Sequence, residues 1–245
     1  MKRNFKLILE YDGTHYHGWQ RQPHDLTIQE VLEGALEKIT RQKCVVYGAG
    51  RTDSGVHALN YVANFRCNTH LDAGVFVKAL NSTLPKDIVC KESTLAPDGF
   101  HARKSAVSKI YEYHITNGPT PPAVCRQYAW HVRRRLDKEA MTRAAELFLG
   151  SHDFSAFEGA GSPKATSVRN IMQSHIQSWE NHIIYRVEAN GFLRYMVRNI
   201  VGTLVYIGMG KIPPEAVMDI LASGDRGQAG PTAPPEGLFM MCVKY

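Results

Sequence analysis

Residues 27–40, TIQEVLEGALEKIT, set the fold class predicted for the first part of this chain. Thr27 and Glu30 have the spacing of a capping box, a pattern that begins many α-helices. Apolar residues then recur at helical spacing and predict one buried stripe, formed by Ile28, Val31, Leu32, Ala35, Leu36 and Ile39. A helix with one apolar stripe packs against another apolar layer, and the segments on both sides are predicted to supply it.

Strands are predicted on either side of this helix. Residues 5–11 alternate loosely between apolar and polar side chains and end at the turn signal Asp12-Gly13. The elements predicted after the helix are strands at 44–47 and 56–65, a helix at 72–82 and a strand at 87–95. The order β-α-β-β-α-β is that of the split βαβ, or ferredoxin-like, arrangement.

The second half of the chain is predicted to repeat this organisation. Its predicted elements are strands at 105–116 and 125–131, a helix at 137–149, a hairpin of strands 168–178 and 182–190, helices at 191–207 and 213–222, and a strand at 237–244. We expect an α+β fold with an N-terminal half at 1–104 and a C-terminal half at 105–245. The two ferredoxin-like halves would form a continuous, mostly antiparallel sheet with helices on one face and a central cleft on the other, an open face that would suit RNA.

Bulk composition limits the class of protein. The 245 residues are 44% hydrophobic and 21% charged, as in ordinary globular domains, and no apolar run is long enough for a membrane span. The N-terminus is predicted to be a strand, not a signal peptide. Five isolated cysteines favour a reducing cytoplasm. The 11 histidines lack metal-ligand spacing, and the net charge of +6 is compatible with a polyanionic partner.

A glycine-rich segment between two predicted strands, residues 48–59, GAGRTDSGVHAL, carries the strongest chemical signal. Glycines let a backbone approach a ligand closely. Arg51 favours the charged form of Asp53, so Asp53 is predicted to be an anion that acts as a nucleophile or a base. An ordinary turn in which Arg51 and Asp53 form an ion pair is the alternative.

Three known motifs were compared with this loop. A dinucleotide fingerprint would need glycine at position 53, and a P-loop would need a lysine, which is absent between residues 44 and 77. The Asp-Ser-Gly of aspartic proteases is the closer rival. Those enzymes need a second carboxylate, and because the chain has no second Asp-Ser/Thr-Gly, only a homodimer would supply it.

Residues 192–207, FLRYMVRNIVGTLVYI, are apolar nearly all round and predict a buried helix. The only charges are Arg194 and Arg198, four residues apart and hence on one face. We expect Arg194 to reach the helix edge. A guanidinium buried in mid-helix needs an anionic partner, and for Arg198 the obvious candidate is Asp53.

Residues 100–114, FHARKSAVSKIYEYH, combine basic residues with alternating tyrosines. On a strand, Tyr111 and Tyr113 lie on the same face. Two interpretations stay open at this point: the tyrosines fill a core, or the aromatic face stacks on a nucleic-acid base.

Taken together, these segments resemble the anticodon-stem tRNA pseudouridine synthases, the TruA family, over nearly the whole chain. The matching blocks are YDGT at 11–14, GWQRQ at 18–22, GRTDSGVH at 50–57, FHAR at 100–103, KIYEY at 109–113, DFSAF at 153–157, FLRYMVRN at 192–199 and APPEGL at 233–238. The chain departs from the family pattern at Ser54, where alanine is commoner, and at Asn60-Tyr61, where Gly-Gln is commoner.

The resemblance implies a homodimeric, cofactor-free isomerase that converts uridine to pseudouridine at positions 38 to 40 of tRNA. The site roles that it implies are Asp53 as nucleophile, Tyr111 as the residue that stacks on the base or transfers a proton, Arg198 as ion-pair partner of Asp53, Arg51 as the group that holds the flipped nucleotide, and Leu238 as a pocket-lining residue. No metal or membrane is expected.

Basic residues outside the pocket are expected to hold phosphates. They are Arg21, Lys104, Arg133–Arg135, Lys164 and Arg169. For Arg133–Arg135 a solvated strand end is the competing interpretation. For the whole protein, a non-catalytic RNA-binding module on the same sheet remains the main alternative function.

Overall fold

The computed structural model describes residues 2–161 and 166–245, which divide into two units. Unit 1 runs to Val107 and also contains Phe239–Tyr245, whereas unit 2 is Ser108–Leu238. The sequence placed the last strand with the second half of the chain. In the structure that strand pairs in parallel with a strand of unit 1, with Phe239 opposite His57.

Unit 1 contains the predicted β-α-β-β-α-β series. Its elements are β1 (Arg3–Tyr11), α1 (Ile28–Thr40), β2 (Val46–Gly48), β3 (His57–Cys67), α2 (Ala73–Asn81) and β4 (Ile88–Ala96). β1 lies between β3 and β4 and is antiparallel to both, and β2 is antiparallel to β3. The α+β class and this element order are therefore confirmed.

The core of unit 1 follows from the two periodicities seen in the sequence. Alternate residues of β1 are fully buried, and the Phe5 ring lies 5.3 Å from that of Phe65 and 4.9 Å from that of Phe76 on α2. The side chain of Thr27 accepts a hydrogen bond from the Glu30 amide at 3.4 Å, so the predicted cap begins α1. Strand alternation and the helical stripe thus bury the same core.

Unit 2 is also a sheet with helices. Its elements are β5 (Ser108–Asn117), β6 (Trp130–Val132), α3 (Lys138–Glu146), β7 (Gly150–Asp153), β8 (Val168–Trp179), β9 (His182–Ala189), α4 (Met196–Gly208) and α5 (Ala216–Ser223). Within the unit, β9 lies between β5 and β8 and is antiparallel to both, and β6 pairs in parallel with β5. The final strand of the chain, β10 (Leu238–Lys244), begins at the last residue of this unit.

Two predicted elements of unit 2 begin later than expected, and in each the predicted range contains a residue in the left-handed backbone region. In place of the strand predicted at 125–131, only β6 forms and it begins at Trp130, because Cys125 has a φ of 59° and a short 3-10 turn follows it. The helix predicted at 191–207 begins only at Met196, because Tyr195 has a φ of 61°. Arg198 therefore lies in the first turn of α4 and not in mid-helix, and Arg194 precedes the helix. The chain that the structure describes holds no helix with the length and apolarity of a bilayer span.

Candidate active site

The Asp53 loop, defined here as residues 49–56, connects β2 to β3 in unit 1. Within it Arg51 is exposed, Thr52 is buried and Asp53 is half-buried. Thr52 is bound from two sides. The Trp19 amide donates to the Thr52 carbonyl at 3.2 Å, and the Tyr11 hydroxyl lies 3.0 Å from the Thr52 hydroxyl. The backbone that carries Asp53 is therefore fixed by its immediate neighbour.

Stacked aromatic rings support the start of this loop. The Trp19 and Tyr61 rings lie 4.1 Å apart, and the Tyr61 hydroxyl donates to the Gly50 carbonyl at 2.5 Å. A Cβ on Gly48 would lie 2.1 Å from that hydroxyl, so only glycine allows the ring this close. Tyr61 is therefore part of the support of the loop.

A second segment, residues 16–19, forms the other wall of the loop. Gly18 has a φ of 84°, and a Cβ there would lie 2.3 Å from the Thr52 carbonyl oxygen. The Tyr16 carbonyl accepts hydrogen bonds from the Gly55 amide at 3.2 Å and from the Ser54 hydroxyl at 3.3 Å. Gly18 and Trp19, the first two residues of the GWQRQ block, thus lie against the backbone of the Asp53 loop.

Tyr16 is itself anchored to the body of unit 1. Its hydroxyl donates to the Asp87 carboxylate at 2.7 Å. Burial, and then this hydrogen bond to a carboxylate, raise the pKa of Tyr16 well above its ordinary value. The phenol therefore stays protonated and keeps its donor role at neutral pH.

Arg198 of unit 2 is held through its own side chain. Its Nε donates to the Ala233 carbonyl at 2.7 Å, and the Ala233 amide donates back to the Arg198 carbonyl at 3.1 Å. The guanidinium carbon lies 5.0 Å from the centre of the Tyr195 ring, within cation–π range. The side chain is thus fixed at one nitrogen and across one face.

Tyr195 is a residue that sequence reasoning missed. Its ring contacts two guanidinium groups, with the Arg194 carbon at 4.7 Å and the Arg198 carbon at 5.0 Å. A left-handed backbone is uncommon for a bulky residue and often marks a functional segment. Arg194 is exposed, as expected, although the reason is its position before the helix.

A buried asparagine next to Arg198 joins two of the sequence blocks, and the Arg198–Ala233 bonds add a third. Asn199 is 0% exposed, and its amide donates to the Phe157 carbonyl at 2.8 Å. Its side-chain oxygen accepts from the Thr232 hydroxyl at 2.6 Å and from Arg226 at 3.0 Å. Burial lowers the pKa of Arg226. The blocks at 153–157, 192–199 and 233–238 therefore meet through backbone groups and one amide.

The two tyrosines of β5 have different surroundings. Tyr113 is fully buried, its hydroxyl donates to the Pro234 carbonyl at 2.7 Å, and burial raises its pKa far above the ordinary value. Tyr111 is 7% exposed and meets the Phe192 ring edge-on at 5.0 Å. Tyr113 is therefore a core residue, and only Tyr111 keeps the candidate stacking role. Leu238 is buried.

The predicted phosphate-binding residues are engaged to different degrees. Arg21 lies 3.4 Å from the Glu33 carboxylate and 3.9 Å from that of Glu30. Arg169 donates to the carbonyls of Val168 and Thr166 at 2.6 and 2.9 Å. Lys104 and Arg133–Arg135 are exposed, and Lys164 lies outside the described residues. The roles of all of them, and the pairing of Asp53 with Arg198, stay predictions.

Comparison with known proteins gives a consistent result. A family model described as tRNA pseudouridine synthase matches residues 7–103 and 144–245, which include Asp53, Arg198 and Leu238 but not Tyr111. A tRNA pseudouridine synthase A of Thermoanaerobacter sp. is 48% identical, covering 99% of this chain and 100% of the relative. A tRNA pseudouridine synthase A 2 of Clostridium perfringens is 49% identical, with the same coverage. A tRNA pseudouridine synthase A of Syntrophotalea carbinolica is 46% identical, covering 98% and 95%.

Proposed function

The chain belongs to the tRNA pseudouridine synthase family and is an isomerase that acts on tRNA, and from this premise we propose that it converts uridine to pseudouridine at positions 38, 39 and 40 of the anticodon stem-loop. Asp53 is the catalytic group, and no cofactor takes part. Family membership also removes the aspartic protease alternative.

The construction of the Asp53 loop is the observation that carries this proposal. Thr52 is buried and bound on two sides, and Gly18 closes on the same backbone, while Asp53 itself is half-buried. A reacting group is effective when its supports hold it in one geometry and leave it accessible. An acid that served only to close a turn would not need this framework.

The reaction is compatible with a single carboxylate. The N1–C1′ glycosidic bond breaks, a C5–C1′ bond forms, N1 gains a proton and C5 loses one, so atoms and electrons balance without an oxidant or a reductant. Three routes stay open: Asp53 attacks C1′, adds to C6 of the ring, or removes a ribose proton to give a glycal. Each of them needs the ionised carboxylate.

The other site residues are proposed to prepare substrate and nucleophile. Arg198 keeps Asp53 ionised and oriented. Tyr111 stacks on the uracil, which offsets the cost of a few kcal/mol for taking a base out of the stack. The exposed Arg51 holds the flipped nucleotide, and Leu238 lines the uracil pocket.

The remaining assignments concern the partners of the protein. Arg21, Lys104 and Arg169 contact tRNA phosphates, which requires Arg21 to exchange its contact with Glu33 for a phosphate. The protein acts as a homodimer, as the family resemblance implies, and its isolated cysteines favour the cytoplasm as its location.

The direct test uses the purified protein and an unmodified tRNA transcript labelled with tritium at C5 of uridine. Pseudouridine formation releases this tritium to water, and sequencing then locates the modified positions. We expect release from a transcript with uridines at positions 38 to 40, and none from a matched transcript with cytidines there. Equal release from both transcripts would contradict the site assignment, and binding without any release would favour the non-catalytic module.

A further inference from the structure

We propose that Arg133, Arg134 and Arg135, here named the arginine loop, form a preformed surface that binds phosphates of the RNA backbone. This inference rests on the proposed function, since it takes the tRNA as the partner. All three residues are exposed. Among the residues that the structure describes, none of the three guanidinium groups has a hydrogen-bond or ion-pair partner. They are therefore available to an external anion.

One buried side chain fixes the backbone of this loop. The amide of Asn117, at the end of β5, donates to the carbonyls of Val132 and Arg134 at 2.7 and 2.8 Å, and its oxygen accepts from the Leu136 amide at 3.1 Å. Asn117 and Leu136 are both buried. The three bonds bracket the arginines on both sides, so the loop is not a fraying strand end.

Neighbouring contacts add to this support. The Gly118 amide donates to the Val132 carbonyl at 3.3 Å, and a ring nitrogen of His131 lies 2.8 Å from the Gly118 carbonyl oxygen. The next acid along the chain, Asp137, accepts from the Ala140 amide at 2.9 Å and caps α3. Its carboxylate is therefore bonded to the helix rather than to a guanidinium of the loop.

The charge around the loop favours a polyanion. Residues 126–143 contain six Lys and Arg but only two Asp and Glu, so they carry four of the six net positive charges of the chain. A cluster of one sign attracts polyanions over long range, and the planar fork of each guanidinium matches a phosphate. A fixed loop also loses little entropy when it binds.

The flanking residues favour an RNA backbone over a lipid surface. Membrane-surface segments place apolar side chains beside their basic residues, whereas Val132 and Leu136 are buried. Phosphate contacts position a nucleic acid and carry no sequence information. The arginine loop is therefore expected to raise affinity for tRNA without choosing the uridine.

The test replaces all three arginines by alanine. A matched control replaces the exposed Lys38, Lys78 and Lys86 of unit 1 by alanine, which also removes three positive charges. The equilibrium constant for tRNA binding is measured from about 50 to 200 mM salt, and its logarithm is plotted against the logarithm of the salt concentration. The constant falls as salt rises, and each lost phosphate contact makes this slope less steep by about 0.7 to 0.9. We expect the slope of the loop variant to be less steep than that of the parent by about 2, and the control to keep the parent slope.

A third variant separates the guanidinium fork from its charge. For the combined variant Arg133→Lys, Arg134→Lys and Arg135→Lys we expect a slope near that of the parent and an affinity several-fold weaker, because lysine does not form the bidentate contacts of arginine. The inference would be overturned if the alanine variant kept the slope and affinity of the parent. It would also be overturned if the control at Lys38, Lys78 and Lys86 changed the slope by the same amount. A third contrary result would be an alanine variant that binds tRNA like the parent but no longer binds the acidic phospholipid vesicles that the parent binds. In each case tritium release by the parent would leave the proposed function standing.

Discussion

Asp53 and Arg198 are the two charged groups on which the proposed chemistry depends, and the protein holds them in opposite ways. The Asp53 loop is fixed through its backbone, at Thr52, Gly50 and Gly55. Arg198 is fixed through its side chain, by the Ala233 carbonyl at Nε and the Tyr195 ring across the guanidinium. The contacts described around Asp53 thus hold the main chain of its loop, whereas those described at Arg198 hold the guanidinium itself.

The difference indicates how each group tolerates change. A short aspartate has few rotatable bonds, so a fixed backbone already restricts the positions that its carboxylate can occupy. A long arginine keeps considerable rotamer freedom on a fixed backbone, so its head group needs partners of its own. Damage to the Asp53 loop should therefore come from backbone changes, and damage to Arg198 from changes in its side-chain contacts.

The largest effect within this comparison is expected from Arg198→Ala. Loss of the group proposed to orient Asp53 should lower kcat by about 100-fold, the scale of a small misplacement of a reacting group. The Ala233 carbonyl would also lose its donor, at a cost of about 1 kcal/mol in the free energy of unfolding. Steady-state kinetics and denaturant unfolding measure both quantities. Arg194→Ala is the control, and a parent kcat for Arg198→Ala would refute the pairing with Asp53.

A smaller effect is expected from Gly18→Ala, which pushes on the Asp53 loop without touching a charge. The new Cβ would lie 2.3 Å from the Thr52 carbonyl oxygen, at a φ of 84°. We expect a loss of about 1 to 3 kcal/mol in the free energy of unfolding and a lower kcat.

Gly34→Ala is the matched control for that variant. Gly34 lies in α1, and a Cβ there meets no atom within 4 Å. This change should stabilise the protein by about 0.5 to 1 kcal/mol and leave kcat unchanged. If Gly18→Ala behaved in the same way, the Asp53 loop would not depend on the approach of residues 16–19.

The smallest effect is expected at Tyr195. Replacement by leucine removes the ring from the Arg198 guanidinium, a contact worth about 0.5 to 2 kcal/mol. We expect kcat to fall several-fold with tRNA affinity unchanged, and Tyr195→Phe to restore kcat because it keeps the ring. A phenylalanine variant as slow as the leucine variant would show that the hydroxyl, not the ring, is what matters.

The parts of this fold that depend on local side-chain patterns were predicted well from sequence. The Thr27 cap, the stripe of α1 and the alternation of β1 are all encoded by side chains a few positions apart, and the β-α-β-β-α-β order follows from them. The turn of the β8–β9 hairpin at Glu180, with a φ of 49°, lies where predicted.

The supports of the candidate site could not be predicted, because they are mostly main-chain groups. The carbonyls of Ala233, Phe157 and Thr52 bind side chains or amides far away in sequence, and any residue type offers the same carbonyl. The start of α4 was misplaced for a related reason. The apolar pattern extends to both sides of Tyr195, and only the left-handed backbone of this residue makes α4 begin at Met196.

The central claim is that Asp53 performs the chemistry, and single-turnover tritium release by Asp53→Asn tests it most directly. The substitution keeps size and shape and removes the charge. With the variant in excess over labelled tRNA, and with binding measured in the same samples, we predict no release above background and an affinity equal to or slightly tighter than that of the parent. Release at a near-parent rate would contradict the account.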